Sequence, residues 1–367
     1  MKKYETLIAF CLTFFAIVLF VYILSIWAGL IIPFIISILL SFAILSIAWF
    51  YTRKFWIHQY ISFVLSLFTI GIIFYIIWQI INANIDTLIR SAPKYQAKFT
   101  EIISYYWERY NIDTNILTDD VLSFFSFSDI LSSIVSIMSS FVTSAGIIFF
   151  FTLFILLESK SFTRKIALIT WGEKSTFFQV LEQIKTDIKS YFLVKTLISF
   201  ATGCVSGIVL FFFGIEFFVF WAFLIFILNY IPNIGSIIAV FFPVMFSLIM
   251  PEASIWSTVT LLIVLTGIQI FFWNFVEPKL MGNRLNLSPL VILISLIFWG
   301  SLWWPIGMLL SVPLMVMINI TLSHIESTRP IAVLLSEKWI IKYSSIQRSK
   351  KWKFWIKKMK KLLEDIR

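Results

Sequence analysis

The chain has 367 residues, of which 60% are hydrophobic and only 13% charged, and its mean hydropathy is +0.95. No soluble domain of this length tolerates that balance, and apolar runs of about 20 residues recur from end to end, which defines an all-α polytopic membrane protein. The formal net charge is +10, concentrated toward the C-terminus, where it favours anionic lipid over nucleic acid as the partner.

Lys2 and Lys3 precede an apolar run over residues 7–27. It is longer than a signal-peptide core and shows no small-residue cleavage site, so it is expected to be a retained first membrane helix. A short connection at Ala28-Gly29 leads into a second segment, residues 30–51, and Arg53-Lys54 follow it. The third segment covers 57–81. Beyond it, in 82–130, hydropathy falls and acidic residues outnumber basic ones. Leu88, Tyr95, Phe99, Ile102, Ile103 and Tyr106 keep a helical spacing there, which predicts amphipathic helices on the membrane surface or an outward extension of segment three.

Segment four, 131–157, opens in a serine-rich patch (Ser132, Ser133, Ser136, Ser139, Ser140, Ser144), and segment five, 191–213, carries Gly203 and Gly207. Small residues at such spacing predict close helix contacts. Between them, 159–190 reads as a charged cytoplasmic loop. Lys195 and Glu216, near the two ends of segment five, are expected to snorkel to the interfaces.

Residues 215–250 are apolar but interrupted by Pro232-Asn233-Ile234-Gly235. One helix over that stretch would span about 54 Å, against a hydrocarbon core of ~30 Å, so two short arms fit better. A sixth segment, 254–276, precedes a second divided stretch, 287–322, broken at Trp304-Pro305-Ile306-Gly307. Pro232, Gly235 and Pro243 of the first thus correspond to Pro305, Gly307 and Pro313 of the second. Placing the basic clusters in the cytoplasm makes the first hairpin enter from outside and the second from within. The expected plan is about six full transmembrane helices plus two broken re-entrant-type helical hairpins, about eight membrane segments, with an inverted repeat in the C-terminal half. It divides into N-terminal helices over 1–158 with an extracytoplasmic helical insertion at 82–130, the loop 159–190, a transport core 191–323, and a basic cytoplasmic amphipathic tail 324–367.

Broken helices at membrane depth expose backbone groups that need partners, and chains accept them where they line a cavity. The candidate solute-binding residues are therefore Asn229, Pro232, Asn233 and Gly235 at one tip, and Trp304, Pro305 and Gly307 at the other. A connection outside the membrane is the competing reading of both tips. Gln269, Asn274 and Glu277 make an unusually polar end to segment six; interhelix hydrogen bonding is the alternative role for Gln269 and Asn274. Glu277, Lys279 and Arg284 read as a short charged loop, in which Glu277 either exchanges a proton or cation or pairs with Lys279 or Arg284.

Cys11 and Cys204 both sit in apolar runs and suggest neither a disulfide framework nor a metal site. His58 and His324 lie at segment ends. No catalytic motif, nucleotide-binding loop, cofactor site or metal cluster is visible, which argues against an intramembrane enzyme. In the tail, twelve basic residues face four acidic ones, and Trp352, Trp355, Ile356, Met359, Leu363 and Ile366 share one helical face, as in an interfacial helix on an anionic leaflet.

The segments YIPNIGSIIAVFFPV (230–244) and VEPKLMGNRLNLSPLVILISLIFWGSLWWPIGMLLSVPL (276–314) resemble the autoinducer-2 exporter family of bacterial inner-membrane proteins. Glu277, Pro278, Met281, Gly282, Leu285, Leu287, Pro289, Gly300, Gly307, Met308 and Pro313 match its pattern; Pro278, Gly282, Arg284, Pro289 and Pro313 are read as structural positions of that motif. Ser236 departs from it, since members often carry proline there. The resemblance implies a secondary transporter exporting a small polar solute, with autoinducer-2 the name-giving one. Other members resemble cation/proton antiporters, and a non-transporting scaffold that engages lipid through its tail also stays open. The small-residue faces suggest a homo-oligomer, placed in the inner membrane with both termini cytoplasmic.

Overall fold

The computed structural model describes residues 2–109, 127–169, 176–250, 254–281 and 286–337. Gly282, Arg284, Leu285 and the tail beyond 337, with its expected amphipathic face, lie outside the described residues. Every regular element within them is helical. In chain order these are α1 Lys2–Ile26, α2 Ala28–Phe55, α3 Gln59–Arg109, α4 Phe127–Ile169, α5 Thr176–Phe212, α6 Phe218–Leu228, α7 Ile234–Ile249, α8 Ile255–Phe271, α9 Glu277–Met281, α10 Pro289–His324 and α11 Arg329–Leu335.

Among the described residues, five stretches are long and apolar enough to cross a membrane: Ala28–Phe55, Gln59–Ile76, Val180–Phe212, Ile255–Met281 and Pro289–His324. Cys11–Ile26, Ser144–Ser159, Phe218–Leu228 and Ile234–Ile249 are apolar but shorter. Large apolar side chains stay exposed along α1 (Leu12, Phe15, Leu19, Ile26), as suits a surface whose solvent is lipid. The chain is thus an all-α polytopic membrane protein.

Several helices outrun the hydropathy that announces them. α3 continues without a break from Gln59 through Pro93 to Arg109, α4 runs on to Ile169, and α5 starts at Thr176, so much of 159–190 is helix and not loop. Where such an extension leaves the apolar layer, polar side chains replace apolar ones while the backbone keeps its i to i−4 bonds.

Small residues set the close contacts, though not all where expected. On α5, a Cβ added at Gly203 would meet the Ala222 carbonyl oxygen at 2.9 Å, and one at Gly207 the Ala222 Cβ at 2.8 Å, so the glycine face of segment five carries α6. Of the serine patch on α4, Ser133 and Ser136 are exposed. The close serine contact of that region comes from α2 instead: Ser37 is fully buried and its hydroxyl donates to the Ile148 carbonyl of α4 at 3.0 Å.

The two divided stretches are helical hairpins. α6 and α7 fold back so that Trp221 faces Phe246, with ring centroids 5.4 Å apart. α10 is broken inside, where Trp303 and Trp304 leave helical geometry, and the Ser295 hydroxyl reaches across to donate to the Ser311 carbonyl at 3.0 Å.

The hairpins point in opposite directions. Phe211, near the end of α5, packs on Phe218 at the base of the first, while its tip reaches back along α5 to Thr196 and Ser199. The base of the second, with Leu287 and Ile320, packs in one cluster with Tyr191, close to Lys189, whose ammonium lies over the Trp49 ring at the far end of α2. Its tip is at the opposite end of α2: the Trp303 indole donates to the Leu24 carbonyl at 3.1 Å, beside the α1–α2 turn.

Candidate functional site

Both hairpin tips use the same backbone device. Asn233 (φ 60) begins the return arm of the first and Trp304 (φ 52) that of the second; positive φ is rare in residues other than glycine and marks a conformation held by its surroundings. A glycine follows within one turn. A Cβ at Gly235 would overlap the Leu228 carbonyl, and one at Gly307 would overlap the Trp299 carbonyl. In each case the next neighbour is the β-carbon four residues back, Ile231 or Trp303, at 3.1 Å. The outgoing arm's last carbonyls are thus covered by the start of the returning arm, which only a glycine permits. Pro232 and Pro305 stand at these turns, half-buried. Pro313 is buried within the returning arm, and Pro289 opens α10 in its first turn, where a missing N–H costs no bond.

The tips differ in what holds them. Asn229, buried at the end of α6, donates its side-chain amide to the Ser199 hydroxyl at 3.2 Å, and the Tyr230 hydroxyl donates to Thr196 at 2.7 Å. Both acceptors lie on α5. One face of that helix is polar and buried throughout: Lys195, Ser199, Thr202 and Ser206 recur at helical spacing with almost no exposure. The second tip is held by indoles, Trp299 and Trp303 packing at 4.8 Å beside the Trp303–Leu24 bond. Asn233 and Trp304 are themselves exposed.

Lys195 does not snorkel. It is 4% exposed, and its ammonium donates to both carboxylate oxygens of Glu277 at 2.7 and 2.9 Å. Of the expected partners of Glu277, Arg284 lies outside the described residues, and Lys279 gives way to Lys195 because segment six does not end at Val276. The helix instead loosens to π pitch over Phe272–Val276, Asn274 included, and continues as α9. Glu277 therefore projects from a helix toward α5. Pro278 fits the first turn of α9, where its ring displaces no needed donor. Tyr191, buried one turn before Lys195, lies within electrostatic reach of Glu277 and of Tyr230. A single partner's loss would leave an uncompensated charge in this apolar setting, at a cost of about 3–5 kcal/mol.

Of the other sequence candidates, Gln269 is buried on α8 and Asn274 is exposed on the π turn. The structure therefore joins Asn229 and Glu277 through α5, and leaves Trp304, Pro305 and Gly307 at the other tip, beside the cluster that holds Trp299 and Trp303. Glu216 is exposed and accepts a hydrogen bond from the Tyr95 hydroxyl of α3. Ser199, Thr196 and Tyr230 are not among the sequence candidates, and Lys195 enters there only as an interfacial residue. The signal was present as the polar stripe at 195, 199, 202 and 206, but a lone lysine near the end of an apolar run reads as interfacial.

A helical membrane bundle with a continuous buried polar face and two opposed hairpins has the build of a membrane transport protein. Its sequence agrees: the profile described as AI-2E family transporter matches residues 10–327, and the chain belongs to that family. It is 32% identical over 70% of its length to a provisionally named transport protein of Borreliella burgdorferi, covering 71% of that protein. To the AI-2 transport protein TqsA of Escherichia coli K12 it is 31% identical over 70% of its length and 75% of the relative's. A provisionally named transport protein of Haemophilus influenzae is 27% identical over 84% of this chain and 91% of its own.

Proposed function

We propose that this transporter exports a small polar solute across the bacterial inner membrane, receiving it where the first hairpin tip meets the polar face of α5. The observation that carries this reading is the convergence of Asn229, Tyr230, Thr196 and Ser199 in an otherwise apolar interior. Hydroxyls and amides both donate and accept, which suits a hydroxyl-bearing solute. Pro232, Asn233 and Gly235 shape that tip, and Gln269 and Asn274 flank the path on segment six. Trp304, Pro305 and Gly307 shape the opposed tip, on the far side of an alternating-access cycle.

Arms of 11 and 16 residues reach only about 16 and 24 Å, short of a ~30 Å core, which supports a re-entrant first hairpin. The basic tail is taken to lie on the anionic cytoplasmic leaflet, with both termini in the cytoplasm and the chain assembled as a homo-oligomer. Because one relative is named an AI-2 transport protein, autoinducer-2 is the first solute to try. A second reading, a cation/proton antiporter, is favoured by the carboxylate of Glu277 held beside α5.

Counterflow in proteoliposomes tests both. Labelled autoinducer-2 exchanged by the wild type and lost in Asn229→Ala supports the exporter and its site. Exchange of radiolabelled sodium with no solute flux moves the assignment to the antiporter. Flux of autoinducer-2 that Asn229→Ala leaves unchanged removes the first hairpin tip from the site.

A further inference from the structure

The Lys195–Glu277 pair has features that a merely cohesive ion pair does not need. It joins residues 82 apart, it is nearly buried on both sides (5% and 18% side-chain exposure), and it sits at two mechanical junctions at once. On α5, Lys195 is the immediate neighbour of Thr196, and Ser199 is one turn on; these are the two residues that hold the first hairpin tip. On the other side, Glu277 is the first residue after the five-residue π turn. Such a turn carries a register offset and poorer backbone bonding, and it occurs preferentially where helices change shape in function. A helix that can shift register at Phe272–Val276 moves Glu277 relative to Lys195.

We infer that the Lys195–Glu277 pair is the proton-coupling latch of the transport cycle: closed, it fastens α9 to the tip-bearing face of α5; protonation of Glu277 opens it. The inference rests on the transport reading above and adds the element that links solute movement to a proton gradient. The step balances simply. Glu277 takes one proton from one side of the membrane, its charge is lost, and the same proton leaves to the other side when the pair re-forms; Lys195 keeps its own proton throughout. Protonation in place would strand the Lys195 ammonium in apolar surroundings, which is strongly unfavourable. Proton uptake and a rearrangement that gives Lys195 new partners must therefore occur together, and that is what coupling requires.

Among the described residues, Tyr191 on α5 interacts with Glu277 and in turn with Tyr230 at the hairpin tip, and Lys279 on α9 is exposed two residues on from Glu277. The second hairpin's returning arm brings apolar residues to the cluster that holds Tyr191 and Met281, namely Val312, Val316 and Ile320. Glu277 is the carboxylate among them.

The test uses the full chain in proteoliposomes and separates exchange from coupling. Counterflow of labelled autoinducer-2 without a pH gradient is compared with its accumulation driven by an imposed pH gradient, for wild type, the neutral pair Lys195→Gln with Glu277→Gln, and the reversed pair Lys195→Glu with Glu277→Lys. The double neutral variant avoids a stranded charge, and its melting temperature checks that it folds. The expected result is counterflow within about threefold of wild type, gradient-driven accumulation reduced at least tenfold in the neutral pair, and partial recovery in the reversed pair. Gradient-driven accumulation that survives in the neutral pair overturns the latch. Equal loss of counterflow and accumulation in a folded neutral variant also overturns it, making the pair part of the solute site. A wild type that exchanges no solute is the failure of the transport reading itself, and the latch falls with it.

Discussion

The two hairpins share a turn and differ in their moorings. Each turns at a residue of positive φ, Asn233 or Trp304, and each tucks a glycine against a carbonyl of the opposite arm. Yet the first is held to α5 by an amide and a phenol, and the second by one indole on a backbone carbonyl of α1 and an aromatic pair. Side-chain hydroxyls and amides can exchange one partner for a solute at little net cost, since each protein bond they give up is replaced. An indole offers only one donor, and Leu24 is at the end of α1, where the last carbonyls have no helical partner. The comparison therefore separates an adaptable tip from an anchored one.

The sharpest way to break the shared part is at the glycines. Gly235→Ala and Gly307→Ala each force a methyl into a backbone carbonyl, which no rotamer change relieves, and each is expected to cost about 3 kcal/mol, the upper end for overpacking. Thermal melts in detergent should show the two variants similarly destabilised. A well-folded Gly307→Ala beside a collapsed Gly235→Ala would end the equivalence of the tips.

The moorings come next. Trp303→Phe keeps most of the ring but removes the donor to Leu24, with an expected stability loss of about 1–3 kcal/mol for the half-buried carbonyl left without its donor. Asn229→Ala should cost only about 1 kcal/mol while reducing solute counterflow tenfold or more. The contrast is the point: Trp303 is expected to show in the melt and Asn229 in the flux. The opposite pattern would exchange the roles of the hairpins.

What the sequence discloses follows the same division. Proline and glycine at 232, 235, 305 and 307 announce both turns, because their backbone limits are local. That Trp304 takes the positive φ is not announced, since it is imposed by the glycine that follows and the arm it packs on. Hydropathy locates apolar spans but ends them too early: α3, α4 and α5 run on as amphipathic helices where the surroundings become polar. Glu277 stands out as a carboxylate at the end of an apolar segment. Its partner does not, because nothing local distinguishes a buried Lys195 from a snorkelling one, and the ion pair spans 82 positions. The continuation of segment six past Val276 is equally hidden, as a π turn has no residue signature of its own.

The smallest effect concerns the base of the first hairpin, the end away from its adaptable tip. There Tyr95 of α3 is 2% exposed, packs edge-on against Phe246 of α7 at 4.9 Å, and donates to Glu216. Burial, and then the bond to Glu216 and its charge, push the Tyr95 phenol well above its usual range. The neutral, donating form is thus the one the fold prefers. Its contribution is complete below the ordinary tyrosine value of about 10 and is lost as pH rises from there toward the folded value. Tyr95→Phe, which keeps the ring contact and removes the hydroxyl, should lower stability by about 0.5–1.5 kcal/mol at neutral pH. It should also flatten the part of the alkaline decline that the wild type owes to this group. If the base is as rigidly held as the second tip, counterflow at neutral pH should be little changed by this loss. A flux defect as large as that of Asn229→Ala would mean that the base moves with the tip, and that the first hairpin travels as one body.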